Sequence, residues 1–289
     1  MSTKKCAVIG GGNMGRQIAL NTAIHGYEVV VCESAAAVRA NMADWEETYL
    51  AGRIEKGRMT AEQVEEIKAR LSITDNLAAA CKDANIVIEA IVEVKEAKMD
   101  VLGKISNLVC PDTVIATNSS FMVSSTFKDV VVHPERLANL HYFMPALVMK
   151  LTEVVKGDHT SDETVEKLLA FSRETGKIPV LVQKEIDGFI VNNMLKAIKE
   201  EAYRLVNEGV CSVQDLDTAV ELGLNHPMGP FKIDDMNGLD VRYNVLKRRY
   251  EETGVKSEGY DMIEKLYKEG RYGKKQSMAF TTTSNFSND

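Results

Sequence analysis

KKCAVIGGGNMGRQIALNTAIHGYEVVVCE, residues 4–33, is the stretch around which the rest of the chain is organised. Cys6-Ala7-Val8-Ile9 is an apolar run of the length of a buried strand. Gly10-Gly11-Gly12-Asn13-Met14-Gly15 follows at once, and then Ile18, Ala19, Ala23 and Ile24 fall on one helical face. Gly26 ends that helix, residues 28–32 form a second apolar run, and Glu33 stands at its end. Strand, glycine turn, helix, strand and acid, in that order, predict a dinucleotide site. Gly10 permits the tight turn, Gly12 leaves the pyrophosphate room, and Gly15 lets helix and strand pack closely. Asn13 and Met14 open the helix, whose free N–H groups and partial positive charge suit phosphate. Glu33 is placed to accept both ribose hydroxyls, and a 2′-phosphate would meet its carboxylate, so the expected cofactor is NAD rather than NADP.

Outward from this stretch, 289 residues allow two domains. The net charge of −7, without a basic tract, argues against nucleic acid as a partner. The five cysteines are scattered, odd in number and without a CxxC pair. That argues against a disulfide framework or a zinc site and suits a reducing cytoplasm. Met-Ser-Thr-Lys-Lys followed directly by the strand leaves no room for a signal peptide, and no apolar run approaches the length needed to span a bilayer.

Helical patterns cover residues 35–55 and 60–70, the second opened by a Thr60/Gln63 capping box. Gly57 separates them, flanked by Lys56 and Arg58, which read either as solvated surface or as a handle for a phosphate-bearing substrate. Strands are expected at 71–74, at 84–90 (ANIVIEA, with Glu89 and Glu93 near its end) and at 112–117, with a helix over 96–105. Asn118-Ser119-Ser120 then falls at a strand's carboxyl end, where ligands bind in open α/β sheets; an ordinary N-cap cluster reads the same way. His141 ends a short apolar segment, and Glu153 lies in the alternating segment LTEVV. A histidine with a carboxylate in the next element can form a hydrogen-bonded pair that fixes the tautomer. Spacing alone equally allows a structural histidine, the reading given to His25, His133, His159 and His226.

A helix over 161–176 and a strand over 177–182 close this part. From Gly188 the pattern is helical: 189–208, then 212–222 with Ser212 as cap, a rigid turn at His226-Pro227-Met228-Gly229-Pro230, and helices at 239–252 and 260–269. The tail 276–289 has few apolar residues and is expected to be mobile. The fold class is therefore α/β: an N-terminal Rossmann-type domain with a mostly parallel sheet over residues 1–184, then an all-helical domain over 185–289, with catalysis expected in the cleft between them.

VIGGGNMGRQIA, VIEAIVE, ATNSS, LHYFMPALVMKLTEVVKG, GFIVNN, EAYRLVNEG and LGLNHPMGP occur in this order. Together they resemble the L-3-hydroxyacyl-CoA dehydrogenases, most closely the short bacterial 3-hydroxybutyryl-CoA dehydrogenases, over residues 4–273. The resemblance implies that His141 is the catalytic histidine of the family's HFFNP stretch and Glu153 its partner. It implies that Ser120 hydrogen-bonds substrate and cofactor, and that Asn192 helps hold the substrate oxygen. Glu93 and Lys98 match cofactor-contact positions, and Lys56, with Arg58 beside it, matches a lysine near the phosphorylated end of coenzyme A. A homodimer through the helical domain is implied as well.

Two departures bear on the substrate. HFFNP reads His141-Tyr142-Phe143-Met144-Pro145, so a substrate-facing asparagine is now the thioether Met144, and the family's Asn-Arg reads Asn192-Asn193. The glycine-rich ending of the family reads GKKQSMAFTTTSN here. The expected activity is reversible hydride transfer between NAD and a short 3-hydroxyacyl-CoA. A free 3-hydroxy acid, such as a sugar acid or a carnitine-like compound, is the alternative substrate. A structural or regulatory NAD-binding protein with vestigial activity is the alternative of another class.

Overall fold

Strand β1 (Lys5–Ile9) is apolar at every interior position because it is covered on both sides: Cys6 and Val8 enter one core cluster, Ala7 and Ile9 the other. The computed structural model describes residues 4–273 and residue 280. The first unit continues with α1 (Asn13–Ile24), β2 (Glu28–Cys32), α2 (Ala36–Glu55), α3 (Ala61–Arg70), β3 (Leu71–Thr74), α4 (Leu77–Cys81), β4 (Ile86–Glu89), α5 (Lys95–Leu108) and β5 (Val114–Thr117). Short 3-10 turns lead to β6 (Leu137–Tyr142), β7 (Leu151–Val155), α6 (Asp162–Glu174) and β8 (Ile178–Val182). The eight strands form one sheet in the order β3-β2-β1-β4-β5-β6-β7-β8. All neighbours are parallel except β6 and β7. One core packs α1 and α6 on the sheet; the other packs α4 and α5.

The second unit holds α7 (Val191–Asn207), α8 (Val213–Gly223), α9 (Pro230–Asn237), α10 (Leu239–Thr253) and α11 (Tyr260–Lys268) around its own core, which includes Tyr203, Leu216, Phe231, Leu246 and Ile263. The chain divides between Ile190 and Val191, beyond the expected boundary at Lys184. The physical reason is in the linker's bonds: Glu185 accepts from Ser124 Oγ at 2.7 Å and from the Ser125 N–H at 2.9 Å, and the Ile190 N–H donates to Glu153 at 3.0 Å. Residues 185–190 thus belong to the sheet unit.

Local signals for several helix starts are realised. Thr60 and Gln63 form the expected capping box, and Ser161 and Ser212 accept from the N–H groups of Thr164 and Asp215. Two helices go beyond the sequence reading. α4 is a short turn of helix capped by Asn76, whose Oδ1 accepts from the Ala79 N–H at 3.0 Å. α9 starts inside the expected rigid turn, with Pro230 in its first turn and Asp217 accepting from the N–H groups of Phe231 and Lys232, each at 3.0 Å. Apart from Phe280, the tail 276–289 and the departed family ending beyond Gly273 lie outside the described residues. No helix among the described residues is long and apolar enough to cross a membrane.

Candidate active site

The glycine turn is built by contact distances. A Cβ on Gly10, whose φ is +109°, would lie 2.6 Å from the Ala90 carbonyl oxygen, and one on Gly15 would lie 1.9 Å from the Gly10 carbonyl oxygen. Both positions are closed to any side chain. A Cβ on Gly12 would meet nothing within 4 Å, so this glycine faces open space. Asn13 is exposed and Met14 half-buried in the first turn of α1, and no side chain caps that helix, which leaves its first N–H groups for an anion. Glu33 is fixed beside the turn: Oε2 accepts from the Gly11 N–H and Oε1 from the Ala35 N–H, both at 2.9 Å. Each oxygen keeps a lone pair for a further donor. Open space over Gly12, an uncapped helix start and a held carboxylate fit the pyrophosphate and ribose of NAD.

Beyond the ends of β4 and β5 lies a buried polar network. Lys98, 1% exposed, donates to Glu89 Oε1 at 2.7 Å and lies 3.1 Å from Glu93 Oε2. Thr117 Oγ1 donates to the other Glu89 oxygen at 2.6 Å, and Ser119 Oγ donates to Glu93. An ion pair this dry needs hydrogen-bonded partners to hold its shape, and here two carboxylates flank the ammonium while Thr117 and the Ile91 N–H donate to Glu89. Lys98 therefore acts inside the network, and Glu93, 40% exposed at its side chain, is its open end. The network pins the loop that carries Ser120.

His141 on β6 and Glu153 on β7 are register partners in the antiparallel pair, which points both side chains to one face of the sheet. His141 Nδ1 is 2.8 Å from Glu153 Oε2, and Nε2 is 3.0 Å from Ser120 Oγ. Donation from Nδ1 to the carboxylate leaves Nε2 as the acceptor on the side of Ser120. His141 and Glu153 are 3% and 1% exposed, whereas Ser120 is half-buried. Ring contacts brace the imidazole: Phe143 at 4.6 Å and Phe189 at 5.4 Å between centroids.

Met144 lies three residues past His141, and its sulfur turns back to the glycine turn. Gln17 Nε2 donates to Met144 Sδ at 3.1 Å, and Asn13 Nδ2 is 3.9 Å away. The residue at this position therefore stands beside the cofactor helix. Lys56 and Arg58 are exposed on the turn between α2 and α3. Asn192 sits half-buried in the first turn of α7, in the second unit. Within the first unit, then, the fold brings Ser120, His141, Glu153, Met144, Asn13 and the glycine turn to the carboxyl edge of the sheet. Gln17, Phe189 and the Ile190 N–H escaped the sequence reading. Gln17 sits on a helix face that reads as packing, and a backbone donor leaves no trace in residue types. Among the described residues no group of three or more His, Cys, Asp or Glu side chains could hold a metal.

Residues 5–186 match the family model of the 3-hydroxyacyl-CoA dehydrogenase NAD binding domain, and residues 188–283 match that of the 3-hydroxyacyl-CoA dehydrogenase C-terminal domain. The chain belongs to the 3-hydroxyacyl-CoA dehydrogenase family. Its NAD-binding domain carries the glycine turn, Glu33, Ser120, His141 and Glu153, and its C-terminal domain carries Asn192. Similar proteins include the 3-hydroxybutyryl-CoA dehydrogenase of Clostridioides difficile, 32% identical over 96% of this chain and 98% of that one. The 3-hydroxyadipyl-CoA dehydrogenase of Escherichia coli K12 is 36% identical over 85% of this chain, which spans about half (51%) of that protein's length. The crystal structure of 3-hydroxybutyryl-CoA dehydrogenase from Escherichia coli K12 superposes with a TM-score of 0.90 at 32% identity, over 100% of this chain and 61% of that one.

Proposed function

We propose that this family member transfers a hydride between NAD(H) and a short-chain 3-hydroxyacyl-CoA/3-ketoacyl-CoA pair, with 3-hydroxybutyryl-CoA and acetoacetyl-CoA as first candidates. The observation that carries this reading is His141 held between Glu153 at 2.8 Å and Ser120 at 3.0 Å. NAD, when bound, supplies the carbon that takes or gives the hydride. In oxidation His141 Nε2 accepts the proton of the substrate hydroxyl; in reduction it returns that proton to the developing alkoxide. Glu153 holds the ring in the tautomer that leaves Nε2 free and balances the positive charge the ring gains. Ser120 orients the reacting oxygen against Nε2, and the family likeness assigns Asn192 to that oxygen as well. Glu33, Gly12, Asn13 and Glu93 hold the cofactor, with Lys98 fixing Glu93.

The chain-length assignment rests on the names of relatives that cover 96% and 97% of the chain. Exposed Lys56 and Arg58 support a coenzyme A substrate, since two cations on one turn suit a nucleotide phosphate. Met144 cannot donate a hydrogen bond at the substrate-facing position, so the group that meets it there is apolar or loses a partner; a free 3-hydroxy acid, which would make no use of Lys56 and Arg58, is the second reading. The five free cysteines support a reducing, cytoplasmic compartment. Exposed Leu222 and Leu224 on the helical unit, 82% and 63% accessible, support a homodimer.

A panel of acyl-CoA thioesters and free 3-hydroxy and 3-keto acids, followed by NADH absorbance, tests the assignment. Acetoacetyl-CoA is expected to give the highest kcat/KM, and charge reversal at Lys56 and Arg58 to raise its KM without moving NADH affinity. A panel led by a free acid, with no effect of the reversal, would establish the second reading instead.

A further inference from the structure

The last six of the eight residues between β8 and α7, 185–190, do more than connect. Three separate contacts tie them to the His141–Glu153 pair and its surroundings. The Ile190 N–H donates to Glu153 Oε1 at 3.0 Å, the oxygen that His141 does not use. Phe189, 1% exposed and with φ at +51°, packs its ring 5.4 Å from the imidazole, beside Val155 and Val182. Glu185, at the other end of the segment, accepts from Ser124 Oγ at 2.7 Å and from the Ser125 N–H at 2.9 Å, which fastens the segment to the turn just after Ser120.

The fastening is itself built in. Ser124 is fully buried, and its own N–H donates to Asn139 Oδ1 on β6 at 2.7 Å. His159 Nε2 lies 3.4 Å from Ser124 Oγ. A Cβ on Gly157 would lie 2.5 Å from the His159 ring and 2.9 Å from Glu185 Oε1, so the glycine is what lets the three side chains close up. A left-handed φ at a bulky aromatic residue is costly and is kept only where the surroundings hold it. Here it is the bend that puts the Phe189 ring on the imidazole and the next N–H on the carboxylate.

We propose that residues 185–190 form a positioning strap for the catalytic pair: Glu185 anchors it, Phe189 braces the His141 ring, and the Ile190 N–H locks Glu153 through its second oxygen. A carboxylate held by only one hydrogen bond can rotate about its terminal torsion; two bonds on opposite oxygens fix its plane and with it the direction of Nε2. The strap acts through His141 and Glu153 and touches no reacting atom, so Glu185 is a positioning residue. The proposal rests on the catalytic reading of that pair.

Glu185→Ala, Glu185→Gln and Phe189→Leu test it on the full chain. The carboxamide oxygen of Gln can still accept from Ser124 and Ser125, so Glu185→Gln is expected to behave as wild type. Glu185→Ala and Phe189→Leu are expected to lower kcat on acetoacetyl-CoA about tenfold to hundredfold, the scale of a misplaced catalytic group, with NADH affinity within about twofold. The Nδ1–H proton signal of His141, read by NMR, should broaden or move in the same two variants and stay in Glu185→Gln. That signal needs no substrate, so it judges the strap even where wild type turns over no acyl-CoA, which would fail the catalytic reading by itself. Unchanged kcat and an unmoved His141 signal in Glu185→Ala would overturn the strap. So would a loss of NADH affinity matching the loss of kcat, which marks general damage; a variant that fails to fold passes the decision to Phe189→Leu.

Discussion

The glycine turn after β1 and the His141–Glu153 pair across β6 and β7 are both small and close to the sheet's carboxyl edge, yet they are assembled differently. Every part of the turn lies within thirty consecutive residues, 4–33, and its geometry follows from which side chains are absent. The pair joins residues twelve apart through an antiparallel register, and its geometry follows from contacts made by three further segments: Ser120 after β5 and the Ile190 N–H after β8 by hydrogen bonds, and Phe143 just past β6 by ring packing. A local site tolerates changes around it and fails abruptly when a glycine is filled. A site assembled from a distance degrades in steps as its supports are removed.

The largest effect expected on this contrast is at the pair. His141→Ala removes the proton acceptor, so kcat should fall by about 10²–10⁴-fold while NADH affinity stays within about twofold. Steady-state rates and fluorescence titration check both halves, and near-full turnover would break the assignment. Met144→Asn comes next, because the sulfur at 3.1 Å from Gln17 joins the two regions. Restoring an amide there should raise kcat/KM on acetoacetyl-CoA by about tenfold or more, the worth of roughly 1–3 kcal/mol of hydrogen bonding in a dry site. No change on any substrate would make the position silent.

Within the turn Gly15 and Gly12 should separate. Gly15→Ala must displace the Gly10 carbonyl, which a Cβ would approach to 1.9 Å. The expected cost is about 1–3 kcal/mol, and a lower Tm would show it. Gly12→Ala meets nothing in the protein, so Tm should hold while NADH binding weakens about tenfold; equal melting losses in both would remove the distinction. The smallest effect is at Glu33. Glu33→Gln keeps acceptors for Gly11 and Ala35 only in part, and the preference for NADH over NADPH should shrink several-fold, on the order of 1 kcal/mol. Parallel titration with both cofactors reads it, and an unaltered preference would show that the carboxylate does not choose the ribose.

Much of the first unit was legible because its elements are bounded by local chemistry. Thr60 with Gln63, Ser161 and Ser212 mark helix starts through bonds that span three residues. Apolar runs at β1, β2 and β4 are unbroken because both sheet faces are covered. α4 and α9 were not legible: one is five residues long, and the other is capped by Asp217, thirteen residues before Pro230. The same limit applies to the site. His141, Glu153 and Ser120 are visible as residue types at or near strands and through the family likeness, whereas Gln17, Glu185, Phe189 and the Ile190 N–H acquire a role only from what lies opposite them.

By itself, the sequence determined the strand–turn–helix start, the acid at the end of β2, the succession of elements and the shift from sheet to helix. Each of these depends on hydrophobic period, glycine placement or a cap within a few residues. Only the tertiary structure decided that β7 runs against β6, that His141 therefore faces Glu153, that Lys98 is sealed between two carboxylates, and that residues 185–190 return to brace the pair. Those outcomes depend on which strands share hydrogen bonds, and strand pairing is settled by the burial of the whole sheet, a property no single stretch of the chain contains.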